Sequence, residues 1–166
     1  MPTERHMFDL SIDPFELNDL LGAPLISQAQ FAFDALSPLL DEIIPPWQSV
    51  ATGLAGSHGV PQLTGNGNLQ TGSPVTLALT QARPASLAAL LLGYNNVGNP
   101  IAGGILVPMP VSWIIQTTSG QGDLQLTGTW PAGTTPGKAL LFQYWIDDPT
   151  APQGWSASNG VAANFQ

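Results

Sequence analysis

From Trp47 to the C-terminus, glycines and prolines return every few residues, and the apolar stretches between them are short. The 166-residue chain holds 18 Gly and 16 Pro. Proline withdraws a backbone donor and both residues favour turns, so this spacing predicts short strands joined by turns. Val75 to Thr80 alternates, placing Val75, Leu77 and Leu79 on one face. Leu87 to Leu92 is a continuous apolar run, suited to a strand buried on both faces, with a helical turn as the rival reading. Ile105 to Val107 and Val111 to Thr117 follow a Gly103-Gly104 turn and are separated by Pro108-Met109-Pro110. Asp123 to Thr127 alternates again after the Ser119 to Gly122 turn. Ala139 to Ile146 is the strongest strand signal, and Trp155 to Ala163 closes the chain. The pattern predicts a mainly-β fold, a β-sandwich or jelly-roll domain over residues 59–166, and leaves strand order open.

Charge divides the chain. Residues 1–46 carry eight acids and Arg5, a net −7, whereas residues 47–166 carry three acids and two bases, a net −1. Such asymmetry marks segments with different roles. The acidic segment reads as helical. Asp13-Pro14-Phe15-Glu16 combines a cap, a first-turn proline and a capping-box glutamate, and Gly22 supplies a stop. Ser27 to Gln30 repeats the capping pattern. Ala29, Ala32, Leu36, Leu39, Leu40 and Ile43 then share one helical face. Ser37-Pro38 either starts a second helix or kinks the first, and Pro45-Pro46 ends the segment. The division expected is an acidic helical arm over 1–46, a linker over 47–58 and the β-domain over 59–166. Phe15, Leu20, Phe31, Leu36, Leu40 and Ile43 are the arm's candidate interface residues, and its apolar stripe needs a cover. It packs either on its own β-domain or on a neighbouring subunit.

Several function classes are disfavoured. Only 8% of residues are charged, against roughly 25% in an ordinary soluble protein. With no Cys there is no disulfide scaffold, thiolate zinc site or Cys nucleophile. Three basic residues and a net charge of −8 argue against a nucleic-acid partner, whose binding needs clustered Lys and Arg. No apolar run approaches the ~20 residues of a membrane-spanning helix. The Met1 to His6 start has no apolar run behind it, so no signal peptide is read there. A soluble chain without membrane insertion is expected.

Catalytic signals are weak. The two histidines are His6, near the N-terminus, and His58, in a Gly-rich stretch beside Ser57. Neighbours in sequence rarely set a hydroxyl on the adjacent imidazole, so no Ser-His-acid triad is predicted. Asp147 and Asp148 would point to opposite faces of a strand, the wrong arrangement for two carboxylates flanking one sugar. They read as turn formers that accept backbone N–H groups. Calcium is the rival role, with Asp147, Asp148 and Asn159 as oxygen donors, although no Asp-rich loop has calcium spacing. No other cofactor is expected. Among the five tryptophans, Trp113 and Trp145 read as core. Trp130 and Trp155 border Pro/Gly loops and read as loop anchors or interface residues.

Four segments recur together in one family: Gly103 to Pro108, Gly128 to Gly133, Leu141 to Asp147, and Ser156-Ala-Ser-Asn-Gly160. With Thr71 to Gly93, residues 59–166 resemble the C-terminal β-sandwich modules of large secreted proteins from planctomycetes and other environmental bacteria. The resemblance implies a non-catalytic extracellular module and brings no catalytic residues with it.

The expectation is therefore a non-catalytic structural or assembly protein, its arm mediating contacts in a homo-oligomer or with other particle proteins. A leaderless capsid or decoration protein of a virion and an extracellular layer or filament both fit. The alternative is an extracellular module that binds carbohydrate or protein.

Overall fold

A computed structural model describes residues 30–36, 45–133 and 138–165. Residues 30–36 are helical. The chain divides into two compact units, Met1–Pro45 and Pro46–Gln166. The second unit is mainly β, and every strand pairing in it is antiparallel. Its strands are β1 (Trp47–Ser49), β2 (Gln62–Gly67), β3 (Pro74–Thr80), β4 (Leu87–Gly93), β5 (Asn96–Ile101) and β6 (Gly104–Pro108), followed by β7 (Ser112–Thr117), β8 (Leu124–Thr129), β9 (Ala139–Asp147), β10 (Trp155–Ala157) and β11 (Val161–Asn164).

A six-stranded sheet has the order β1-β11-β9-β4-β7, with β10 also pairing β9. A three-stranded sheet has the order β2-β3-β8, and β5-β6 is a separate hairpin. The Leu87–Gly93 run is a strand rather than a helical turn, because both of its sides are taken up by β7 and β9. Part of the stretch read as a linker, 47–58, pairs with the sheet. Trp47, Gln48 and Ser49 pair with β11, and Leu54 exchanges both backbone hydrogen bonds with Ala157.

Alternation explains the core. Leu63, Leu77 and Leu79 turn inward from the three-stranded sheet. Leu90, Phe142, Tyr144, Ile146 and Val161 do so from the six-stranded sheet, and one buried cluster unites them. Trp47 packs in this cluster, edge-on to Trp130 at 6.1 Å between centroids and tilted against Phe142 at 6.0 Å. Its Nε1 donates to the Gly67 carbonyl at 2.9 Å. The indole lies so close to the backbone of β2 that a Cβ at Gly65 would collide with its ring.

Polar side chains close the junctions that strand pairing leaves open. Ser158, Asn159 and Gly160 separate β10 from β11. Asn159 Oδ1 accepts the Leu63 N–H at 2.7 Å, and its Nδ2 donates to the Leu63 carbonyl at 3.0 Å and to Ser49 Oγ at 3.1 Å. One amide thereby copies a strand's hydrogen bonding and ties the end of the six-stranded sheet to β2. Ser158 Oγ accepts the Tyr144 N–H at 2.9 Å.

Candidate functional site

The feature that stands apart from this packing is the outer face of the β4–β7 pair. On β4, Ala88 and Leu90 point into the core, so Leu87, Ala89 and Leu91 point away from it. Their cross-strand partners are Thr117, Ile115 and Trp113, which share that outer face. Trp113 and Ile115 are each 64% exposed and Leu87 is 58% exposed. Val111 and Met109, just before β7, are exposed as well. β7 is the last strand of its sheet, and its far edge pairs with no strand among the described residues.

The same outer face continues onto β9, where it is covered. Trp145 lies opposite Ala89 and Gln143 opposite Leu91, and both are buried. The cover is the β5–β6 hairpin. Gln143 Oε1 accepts the Val107 N–H at 3.0 Å and the Trp145 indole N–H at 3.1 Å. Its Nε2 donates to the carbonyls of Ile105 at 2.9 Å and Ser158 at 3.1 Å. A fully buried amide that spends its oxygen and nitrogen in this way fastens the hairpin to the sheet.

The sequence-predicted residues fall in different places. Trp113, expected in the core, is exposed, because it lies on the outer face of an edge strand beyond the reach of the hairpin. Trp145 is core-like as expected. Trp130 is 3% exposed and is a loop anchor: its N–H donates to Ser73 O, and its ring packs on Phe165 at 5.3 Å. Its indole Nε1 is buried without a hydrogen-bond partner. Trp155 is exposed on β10, opposite Asp147. Phe31 and Leu36 are exposed on the 30–36 helix, whereas Phe15, Leu20, Leu40 and Ile43 lie outside the described residues.

Asp148 is a turn former in this structure, whereas Asp147 is the last residue of β9. Asp148 is fully buried. Its Oδ2 accepts the Ser57 N–H at 2.7 Å and the Ser57 hydroxyl at 2.8 Å, and its Oδ1 accepts the Thr150 hydroxyl at 2.8 Å and N–H at 3.3 Å. Burial pushes its pKa up, but these four donors outweigh burial and hold the carboxyl below its ordinary value. Asp147 pairs along β9 with Trp155, while Asp148 turns inward to the Ser57 turn. The Asn159 oxygen is already engaged by Leu63. The structure therefore does not bring the three calcium candidates to one point, and each of Asp148 and Asn159 is satisfied by protein donors. Among the described residues no group of three or more His, Asp or Glu could hold a metal ion.

One contact runs against expectation. Ser57 Oγ sits 3.0 Å from His58 Nδ1, because the two residues form the tip of a tight turn closed by the paired Gly56 and Gly59. The order of the groups nevertheless differs from a hydrolase triad, in which the imidazole lies between serine and acid. Here serine lies between them. A carboxylate only accepts, so the single Ser57 proton points at Asp148, and His58 Nδ1 must present an N–H to Oγ. The serine proton is directed at a carboxylate rather than at an imidazole.

A further cleft of about 530 Å³ lies between the Thr52 to Leu54 segment and the β5–β6 turn, with Gln153 at its rim. It is lined without charged side chains. Tyr144 lies on the core side, where its hydroxyl donates to Gln116 Oε1 at 2.6 Å and burial pushes its pKa up to about 12. It is a packing residue, not a titrating one.

No helix among the described residues is long and apolar enough to cross a membrane. No protein-family model, curated protein or solved structure matches the chain.

Proposed function

We propose that the chain is a non-catalytic structural or assembly protein. In this reading the β unit is a two-sheet, jelly-roll-like sandwich that serves as a subunit of a larger particle or surface structure. Residues 1–46 act as an acidic arm that reaches neighbouring subunits. A virion capsid or decoration protein and an extracellular layer or filament are the two settings it fits.

The observation that carries this reading is the bare apolar surface of β4 and β7 at an open sheet edge. Monomeric proteins usually protect such edges with charges, proline or a covering element. No Lys, Arg, Asp or Glu lies on β4 or β7. The Ser57–His58–Asp148 contact, with serine in the middle, supports the non-catalytic part.

The test is native mass with negative-stain imaging of the full chain beside a chain beginning at Pro45. A defined oligomer or polymer from the full chain, reduced by the truncation, is the expected result. Folded monomers from both would reject it. Exposed Trp113, Trp155 and Tyr94 favour one second reading, an extracellular carbohydrate- or protein-binding module of the kind residues 59–166 resemble. Monomers that bind immobilised glycans would support that reading instead.

A further inference from the structure

The chain contains two Asn-Gly pairs, Asn66-Gly67 and Asn159-Gly160. Asparagine is chemically labile, and a following glycine leaves the next backbone nitrogen without a side chain to shield it. That nitrogen can attack the asparagine amide carbon. Hydrogen bonds to the amide, burial, and pairing of the backbone N–H each slow the attack in a folded protein.

The fold treats the two pairs differently. Asn159 is 7% exposed, and its amide makes three hydrogen bonds, to the Leu63 N–H, the Leu63 carbonyl and Ser49 Oγ. Asn66 is exposed on β2, and its side chain has no hydrogen-bond partner among the described residues. The strand register frees the nucleophile as well. Both backbone groups of Leu63 face Asn159 and away from β3, so Leu63 and Leu79 are a non-bonded pair of the β2–β3 ladder. Alternation makes Asn66 and Thr76 a bonded pair and Gly67 and Val75 a non-bonded one. The Gly67 N–H therefore points off the outer edge of β2, where no described residue accepts it. The Gly67 carbonyl accepts the Trp47 indole N–H at 2.9 Å. Gly67 is the last residue of β2, with φ at 112°. Turning Asn66 onto its own backbone is thus a rotation at a strand end, opposed mainly by the Trp47 contact. Asn159 would first have to surrender three hydrogen bonds.

We propose that Asn66-Gly67 is a self-modifying site, at which the folded chain converts its own asparagine to aspartate and isoaspartate. The Gly67 nitrogen loses its proton to solvent base and bonds to Asn66 Cγ. The Cγ–Nδ2 bond breaks, and the nitrogen takes up a proton and leaves as ammonia. Water then opens the five-membered succinimide at either carbonyl. One opening leaves aspartate at position 66. The other leaves isoaspartate, whose main chain runs through Cβ and Cγ and is one methylene longer. Position 66 faces solvent, so the new carboxylate itself is tolerated. The methylene is not neutral, because it falls between the bonded pair at Asn66 and the Gly67 carbonyl and so displaces the acceptor of the Trp47 indole. Trp47 belongs to the six-stranded sheet through β1, and Gly67 to the three-stranded sheet. The isoaspartyl form loosens this tie between the two sheets. None of this depends on assembly.

The experiment is peptide mapping by mass spectrometry of the full chain held warm at mildly alkaline pH, beside the same chain held in urea. In urea the two pairs are expected to convert at similar rates. In the folded chain Asn66 is expected to convert faster than Asn159 by roughly tenfold or more, because the Asn159 hydrogen bonds must break first. Asn66→Ser, a change at an exposed position, should abolish that product and leave Asn159 as before. Folded-state conversion no faster at Asn66 than at Asn159 overturns the site, as does an Asn66 that stays intact while the chain in urea is consumed. The tie between the sheets is read from aged samples, whose urea midpoint should fall for wild type and hold for Asn66→Ser. A wild-type midpoint that holds after isoaspartate has formed overturns the link to Trp47.

Discussion

The two outward surfaces of the β unit follow opposite rules. On the three-stranded sheet the positions facing away from the core include Thr64, Thr76, Gln125 and Thr127, all small or polar. On the six-stranded sheet they include Leu87, Leu91, Trp113, Ile115 and Trp145. An antiparallel sheet with one face in water alternates in hydrophobicity, and the smaller sheet does so. The larger sheet is built as an inner layer, covered by a hairpin over β9 and uncovered over β7. The difference teaches where the fold ends and an interaction surface begins. On the outer face of this sheet, side chains are buried on β9 and bare on β7, and the hairpin decides which.

The largest expected effect tests the covered side. Gln143→Leu keeps the volume but abandons the Val107 N–H, the Trp145 indole N–H and the carbonyls of Ile105 and Ser158. Stranding several buried polar groups is expected to cost about 3–5 kcal/mol. The measurement is the urea midpoint, with hydrogen exchange following the hairpin amides. A loss below about 1 kcal/mol would mean that the hairpin does not depend on this side chain, and the contrast between the two halves of the sheet would lose its basis.

Most of the β architecture was legible in the sequence, because six of the strands carry strong alternation or continuous apolar runs. β3, β4, β7, β8 and β9 lie close to their expected positions, and β6 extends its expected run by a residue at each end. β2 was missed: Gln-Leu-Thr-Gly-Asn-Gly has a single large apolar residue, and its Gly65 is required by the nearby Trp47 ring while Gly67 takes a positive φ against the Pro74 carbonyl. β1 was hidden in the supposed linker because three residues are too few to show a period. Asn159 and Asp148 were read as possible cation ligands, and their amide and carboxylate chemistry does not distinguish that role from the backbone capping they perform. Trp113 shows the limit most clearly. Alternation says which residues share a face, but whether that face is covered depends on where a remote hairpin lands.

An intermediate effect is expected at the edge of the covered half, where Asp148 holds the Ser57 turn against the end of β9. Its folded pKa lies below the unfolded value of 3.8, so deprotonation favours the fold. Its contribution is fully present above pH 3.8 and is lost as pH falls through the lower folded value. Asp148→Asn places an amide against donors and is expected to destabilise by about 2–3 kcal/mol at neutral pH. The gap to wild type should close progressively in acid, as the wild-type carboxyl takes up its proton. Urea unfolding of both proteins in steps from neutral pH downward measures it. A gap that stays constant into strong acid would show that the carboxylate charge is not what the turn relies on.

The smallest effect on stability should come from the bare half, and its smallness is the informative point. Ile115→Thr trims an exposed outer-face residue on an edge strand while keeping β-branching, so backbone preference is retained. Ile115 packs little within one chain, so the monomer should change by no more than about 0.5 kcal/mol. Gln143 and Ile115 lie on the same outer face of the same sheet, two strands apart, so the ratio of their effects measures how much the hairpin cover is worth. Unfolding at low protein concentration isolates the monomer. A loss of about 2 kcal/mol or more there would mean that Ile115 is packed by residues of its own chain, the amount expected for truncating a buried aliphatic side chain. Stability unchanged at low concentration but reduced at high concentration would place the missing cover on a second molecule, since only association makes folding stability depend on concentration.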